Sequence, residues 1–242
     1  MGDDFLQIWV YLASEPLLAL TMTLVAYQLG LFFYERAGRS PYLNPVLIAV
    51  VVLVLLLIIT DTSYATYFDG AQFVHFLLGP ATVALAVPLY RSFALVRRSW
   101  VSLSVALFTG AVFAALSTIA LATLSGAEER TILSLAPRSV TSGIAMGISE
   151  RLGGLPSLTA VCVILSGIVG AMLGPPLMNL VRIRDWQARG FAMGLASHGI
   201  GTARAMQVNQ VAGAFAGLAM GLNALATALL LPVLLGLWRS AS

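Results

Sequence analysis

Apolar positions fall in long blocks, near 16–34, 44–60, 99–124, 157–181 and 210–237, with short polar turns between them. Each block approaches the ~20 residues a helix needs to cross a hydrocarbon core. Three segments between them, near 72–90, 131–150 and 188–207, are apolar but punctuated. The first holds Gly79, Pro80 and Pro88, the second Pro137 and Gly143, the third Gly190, Gly194, Gly199 and Gly201. Proline removes a backbone donor and glycine loosens a helix, so Pro80, Pro137 and Gly143 are expected to break helices, and all three segments read as broken or re-entrant. The expectation is an all-α integral membrane protein of seven to eight segments in a single domain, 1–242. Segments 44–124 and 157–237 each run span, broken segment, span. Three elements per half would invert one half against the other, a common transporter plan.

Composition agrees: 59% of the 242 residues are hydrophobic and 10% charged, against about 25% charged in a typical soluble domain. Mean hydropathy is +0.93. The net charge of +3 is carried by thirteen arginines and no lysine. Most of these lie in short loops, where they set orientation rather than bind nucleic acid. Cys162 is the only cysteine and sits in an apolar run, which excludes a disulfide framework or a cysteine zinc site. The acidic start Met1-Gly-Asp-Asp is unlike a secretory leader, and Leu6 spoils the myristoylation pattern.

Arginines cluster in loops 35–43, 91–98 and 182–189. Eight crossings would put the last loop opposite the other two. If 131–150 dips in and returns, seven crossings put all three on the cytoplasmic side, with the N-terminus outside and the C-terminus inside.

Two interrupted segments carry the candidate chemistry, Leu135-Ala-Pro-Arg-Ser-Val-Thr-Ser-Gly143 and Ala196-Ser-His-Gly-Ile-Gly-Thr-Ala-Arg204. Interrupted polar backbone survives at membrane depth where it is buried in protein or lines a cavity, and arginine there marks function by default. A carboxylate needs donors to replace its hydration. Arginine presents a fork matched to two oxygens, and helix N-termini add partial positive charge. In a helix, Arg138 shares a face with Thr141 and Ser142, and Ser197 and Gly201 share one with Arg204. The candidate anion-binding set is Arg138, Ser139, Thr141, Ser142, Ser197, His198, Gly199, Gly201, Thr202 and Arg204. All ten acidic residues lie in loops or near span ends, which suits an anion and argues against a metal; no cofactor is expected. His198 is the candidate for proton coupling.

Structural alternatives stand beside each. Arg204 snorkels to an interface; Arg138 caps carbonyls of a hairpin; His198 is a satisfied packing histidine; His75 is structural or interfacial. Asn223, within the last span, bonds a neighbouring helix. The ladders Ser166/Gly170/Gly174 and Gly213/Gly217/Gly221 pack helices within a chain or between copies of a homo-oligomer. GxSxG, Walker and HExxH patterns are absent, and Gly199-Ile-Gly201 is too short for a dinucleotide fingerprint, so an enzyme is not expected.

The run Pro137-Arg-Ser-Val-Thr-Ser-Gly-Ile-Ala-Met146 resembles the P-[KR]-S-V-T-T-P-I-A-M signature of the LrgB/CidB family, with Ser142-Gly143 where Thr-Pro is usual. Ala188-Arg-Gly-Phe-Ala-Met-Gly-Leu-Ala-Ser-His-Gly-Ile-Gly-Thr-Ala-Arg204 resembles its second signature. Leu43-Asn-Pro45, Pro80-Ala-Thr-Val-Ala-Leu-Ala-Val-Pro-Leu-Tyr90 and Gly154-Leu-Pro-Ser-Leu-Thr-Ala-Val161 add to the likeness, which covers nearly the whole chain. The resemblance implies two functions. One is antiholin-like control of murein hydrolase export and lysis, with a small LrgA/CidA-type membrane partner. The other is transport of a small monocarboxylate such as glycolate, glycerate or pyruvate, since the plant chloroplast glycolate/glycerate translocator resembles a fusion of both proteins. The sequence expectation is the carrier, in a bacterial inner membrane, with the antiholin-like regulator as its alternative.

Overall fold

The computed structural model describes residues 16–241 apart from 78, 79, 81, 82 and 85, and for residues 72–75 and 241 the backbone alone. The described residues are helical, with no strand among them. Four helices are long and apolar enough to cross a bilayer: Pro16–Arg36, Trp100–Leu124, Pro156–Leu180 and the helix beginning at Gln210; Pro45–Ile59 is apolar but shorter. The chain divides into two compact units, Met1–Ala84 and Leu85–Ser242. That boundary falls inside the first of the two expected repeat halves.

The first unit contains α1 (Pro16–Arg36), α2 (Pro45–Ile59) and α3 (Tyr64–Phe76). Asn44 starts α2: its side-chain oxygen accepts from Val46 N and Leu47 N, and Pro45 occupies the first turn, where no amide donor is needed. Gly30 lets α1 approach the Pro45 main chain, which a Cβ there would strike. The Thr23 and Tyr67 hydroxyls share a 2.6 Å hydrogen bond between α1 and α3. Gly79 and the side chain of His75 lie outside the described residues, and Pro80, between undescribed neighbours, is exposed.

The second unit contains α4 (Ala86–Arg91), α5 (Phe93–Arg98), α6 (Trp100–Leu124), α7 (Glu129–Leu135), α8 (Ser142–Leu152), α9 (Pro156–Leu180), α10 (Trp186–Val208) and α11 (Gln210–Ala241). Its plan follows from which residues meet. Ser134 at the end of α7 and Ser149 near the end of α8 both reach Thr159, in the first turn of α9. Between them the chain descends until Arg138 O accepts from Ser166 Oγ, then climbs back so that Val140 and Ala145 pack on Val163. Segment 129–152 is therefore a re-entrant hairpin, hairpin 1, with its tip half-way along α9.

α10 is a second hairpin. Ser197 and His198 leave helical geometry, His198 with φ 39° and ψ −128°. The turn is sharp enough that a Cβ on Gly201 would strike Met193 O, eight residues back. Its first arm runs beside the start of α11, Gly190 on Ala212 and Gly194 on Ala216; its second returns along the same helix, Thr202 near Met220 and Met206 on Gly213. Hairpin 2 enters from the other end of α9, where Met193 lies on Gly174 and Arg189 donates to Asn179 Oδ1.

Antiparallel α9 and α11 thus frame two hairpins that enter from opposite ends and meet in the middle. The count of seven crossings allowed one re-entrant segment and put the end of α11 on the same side as loop 182–189. Two re-entrant segments remove a crossing, and the two regions sit at opposite ends of α11. Glycines on hairpin 2 set its approach: at Gly190 and Gly194 an added Cβ would strike the Ala212 and Ala216 main chain, which cannot rotate away. Gly194→Val is expected to cost at least the upper end of the about 1–3 kcal/mol typical of overpacking. Reversible unfolding in detergent against wild type measures it.

Candidate functional site

The two hairpin tips make one buried polar centre. Pro137 cannot donate, and α7 stops at Leu135. Residues 136–141 form the tip before α8 starts at Ser142, with Thr141 in extended geometry at its N-cap. Gly143 falls in the first turn of α8, so the break is made by Pro137 and the residues just after it. Arg138 and Thr141 therefore precede the helix and share no helical face with Ser142. Arg138 is half-buried, and its Nε donates to Thr118 Oγ1 of α6 at 3.0 Å.

Asn223, fully buried in the middle of α11, ties the tips together. Its Nδ2 donates to Ser139 O at 3.2 Å on hairpin 1 and to Leu195 O at 3.1 Å on hairpin 2. Thr227 Oγ1 donates to Asn223 Oδ1 and so fixes the amide's orientation. A helix break deprives the preceding carbonyls of their usual donors, and Asn223 supplies one on each side. The hydrogen-bonding role expected for it is present, and its location makes it part of the centre. Sequence reasoning missed Thr118, Ser134, Ser149 and Thr159, which anchor hairpin 1. Their signal was modest: single hydroxyls within apolar blocks, normally spent on their own helix backbone.

His198 Nε2 donates to Val163 O of α9 at 2.9 Å, and Thr202 Oγ1 donates to His198 O. His198 is buried and holds a positive φ that non-glycine residues rarely adopt. Such strain costs about 1–3 kcal/mol. His198→Ala and His198→Gly lose the same hydrogen bond, but only glycine accepts the backbone. His198→Gly should be the more stable of the two by about 1 kcal/mol in paired unfolding curves.

Ser197 Oγ, 1% exposed, faces Gly170 of α9 and has no hydrogen-bond partner among the described residues. Gly199 opens the second arm, and Gly143 and Gly147 lie along α8; apart from the adjoining backbone of its own helix, no atom stands within 4 Å of a Cβ built on any of the three. The N-termini of two half-helices, α8 and residues 199–208, thus sit at the tips beside open space, a setting favourable to negative charge.

Of the ten candidate residues, the tips gather Arg138, Ser139, Thr141, Ser142, Ser197, His198 and Gly199. Gly201 and Thr202 begin the return arm. Arg204 lies further along it, half-buried, where it lines a separate cavity of about 140 Å³ with Arg189, Trp186, Met193 and Pro175. No group of three or more His, Cys, Asp or Glu suited to a metal occurs among the described residues.

Comparison with known proteins agrees with the motifs at both tips. The LrgB-like family profile matches residues 23–237. YwbG of Bacillus subtilis is 36% identical over 219 residues, 90% of this chain and 97% of its own length. YxaC of the same organism is 33% identical over 212 residues, covering 88% and 92%. The holin-like protein CidB of Staphylococcus epidermidis is 30% identical over 221 residues, covering 91% and 96%. No solved structure matches. With a family match spanning both hairpins and relatives aligned over almost their whole length, the chain is a multi-pass membrane protein and belongs to the LrgB-like family.

Proposed function

We propose that this chain is a holin-like membrane protein that governs solute passage across the bilayer together with a small LrgA/CidA-type membrane partner. The observation that carries this reading is the alignment with CidB proteins over nine-tenths of the chain, since those relatives bear the name holin-like. The test is co-reconstitution: with its small partner, the chain changes release of a trapped dye from liposomes, and either protein alone does not.

A specific observation favours a second reading, the carrier of a small monocarboxylate. Arg138 lies on one hairpin tip, a half-helix N-terminus lies at each tip with open space beside Gly143 and Gly199, and no acidic side chain lies on either tip. Such opposed broken helices commonly hold a transported solute, and a permeability regulator has no need of them. On this reading hairpin 1 and hairpin 2 are the inverted pair, each flanked by two of the spans α6, α9 and α11.

Labelled glycolate, glycerate or pyruvate in proteoliposomes separates the two. Saturable uptake by the chain alone, cut at least tenfold in a folded Arg138→Gln variant, supports the carrier. Absence of uptake together with partner-dependent dye release supports the holin-like role. For either function we place the arginine-rich end, with loops 91–98 and 182–185, in the cytoplasm. Hairpin 2 then opens inward, hairpin 1 outward, and α11 ends outside. This reverses the side expected for the end of the chain from a count of seven crossings.

A further inference from the structure

A crevice of about 480 Å³ runs between α6 and the first arm of hairpin 2 and ends at Leu195 and Ala196, next to the hairpin tip. One wall is Ser99, Ser102, Leu103, Ala106 and Gly110 on successive turns of α6; the other rises from Asp185 and Gln187 through Ala188, Phe191 and Ala192 to Leu195 and Ala196. Small side chains leave the space between the walls unfilled, and Ala106, Ala188, Ala192 and Ala196 are exposed along it. The floor is Leu195, whose side chain lies against Gly110.

Its polarity is graded. Polar groups occur at the end where α6 and α10 begin: Ser99 Oγ donates to Gln187 Oε1 at 3.2 Å, Ser102 follows one turn on, and Asp185 accepts from Ala188 N. Beyond Ser102 the lining is apolar. From Ser99 to Gly110 the helix rises about 16 Å, close to half of the ~30 Å hydrocarbon core, the depth of one leaflet. Arg97 and Arg98 immediately precede Ser99, and Arg182 and Arg184 precede Asp185. Four arginines therefore lie within three residues of the mouth along the chain, against one carboxylate already engaged at a helix N-terminus.

We propose that this crevice seats one acyl chain of an anionic phospholipid from the leaflet on the arginine-rich side. The chain lies along Ala106 and Ala192 as far as Leu195, and the phosphate meets the arginines at the mouth. A bare apolar groove would take any lipid; the flanking cations select a negative headgroup, because juxtamembrane arginines attract anionic lipid. The lipid seat does not depend on either function proposed above.

The test is native mass spectrometry of the purified chain. It is exchanged into detergent with phosphatidylglycerol or phosphatidylcholine of identical acyl chains, and melting temperatures are recorded in parallel. Wild type is expected to retain one phosphatidylglycerol at several-fold higher occupancy than phosphatidylcholine, and to melt several degrees higher with it. Ala106→Phe and Ala192→Phe fill the crevice from opposite walls and should lose that lipid while melting like delipidated wild type. The double variant Arg97→Gln/Arg98→Gln should bind the two lipids alike. Equal retention of both lipids by wild type, or undiminished phosphatidylglycerol in both phenylalanine variants, overturns the proposal. A co-purifying polypeptide, rather than lipid, displaced by those variants would overturn it as well and make the crevice a protein interface.

Discussion

Asn223→Leu unfolds at lower denaturant than wild type, with a loss of about 2–4 kcal/mol. Leucine keeps the branched skeleton of asparagine and is bulkier, so no cavity opens; the loss comes from hydrogen bonding, with some overpacking added to it. The change removes the Nδ2 donor shared between Ser139 O and Leu195 O and leaves both carbonyls buried. A buried polar group left without a partner costs about 1–3 kcal/mol, and two are stranded at once. Hydrogen bonds between membrane helices average nearer ~0.6 kcal/mol in double-mutant cycles, because the unfolded chain in lipid finds other partners. The larger figure is expected here because both acceptors sit at helix breaks, where a sliding helix offers no replacement donor. Thr227→Val, which strands the one buried acceptor Asn223 Oδ1, should cost about 1–2 kcal/mol, less than the loss of a donor shared by two carbonyls. A loss at Asn223 no larger than at Thr227 would mean that the tips hold together without the amide. A functional readout adds a second axis: whichever solute flux the reconstituted protein supports should fall in Asn223→Leu even where the variant is fully folded. A single side chain thus positions both hairpins.

The long spans were legible because a continuous apolar block has few other fates. Trp100–Leu124 and Pro156–Leu180 match the expected 99–124 and 157–181 within a residue of each bound. The breaks at Pro137 and around Ser197–Gly201 were also legible, since proline, glycine and arginine at membrane depth demand a buried, interrupted backbone. Where the chain goes after a break was not. A helix that bends and continues and one that turns back carry the same glycines. The difference lies in tertiary contacts such as Gly201 on Met193, which no local pattern encodes. For hairpin 1 the arginine count pointed the right way; for hairpin 2 the same count treated the segment as a crossing. Helical periodicity also placed Arg138 with Ser142 and Arg204 with Ser197. Both pairings assumed an unbroken helix across residues the structure leaves non-helical or folds back. Asn223 was recognised as a hydrogen-bonding residue, but its two partners, 84 and 28 residues away, follow only from the meeting of the tips.

Labelling of single cysteines by an impermeant reagent should give an all-or-none pattern that reports both hairpins. In a Cys162→Ser background, cysteines at Glu128 and Arg151, both exposed and flanking hairpin 1, are expected to react from the same face of the membrane. Cysteines at Arg184 and Gln210, exposed on either side of hairpin 2, should react together from the opposite face. The argument is one of length and contact. α7 has seven residues and α8 eleven, so at 1.5 Å per residue neither spans the ~30 Å core, and Thr159 pins Ser134 and Ser149 at one depth. α10 has 23 residues, enough to cross if it were straight. The prediction there rests on Thr202 and Met206 returning along α11 past the residues beside Gly190 and Gly194. Opposite sidedness of 128 and 151 would turn hairpin 1 into a crossing, and a split between 184 and 210 would do the same for hairpin 2. A cysteine at Ser240 completes the test, because α11 lies between it and Gln210. With both hairpins re-entrant it reacts from the face that exposes Glu128, where Arg239 and Glu129 are joined by a 2.7 Å ion pair.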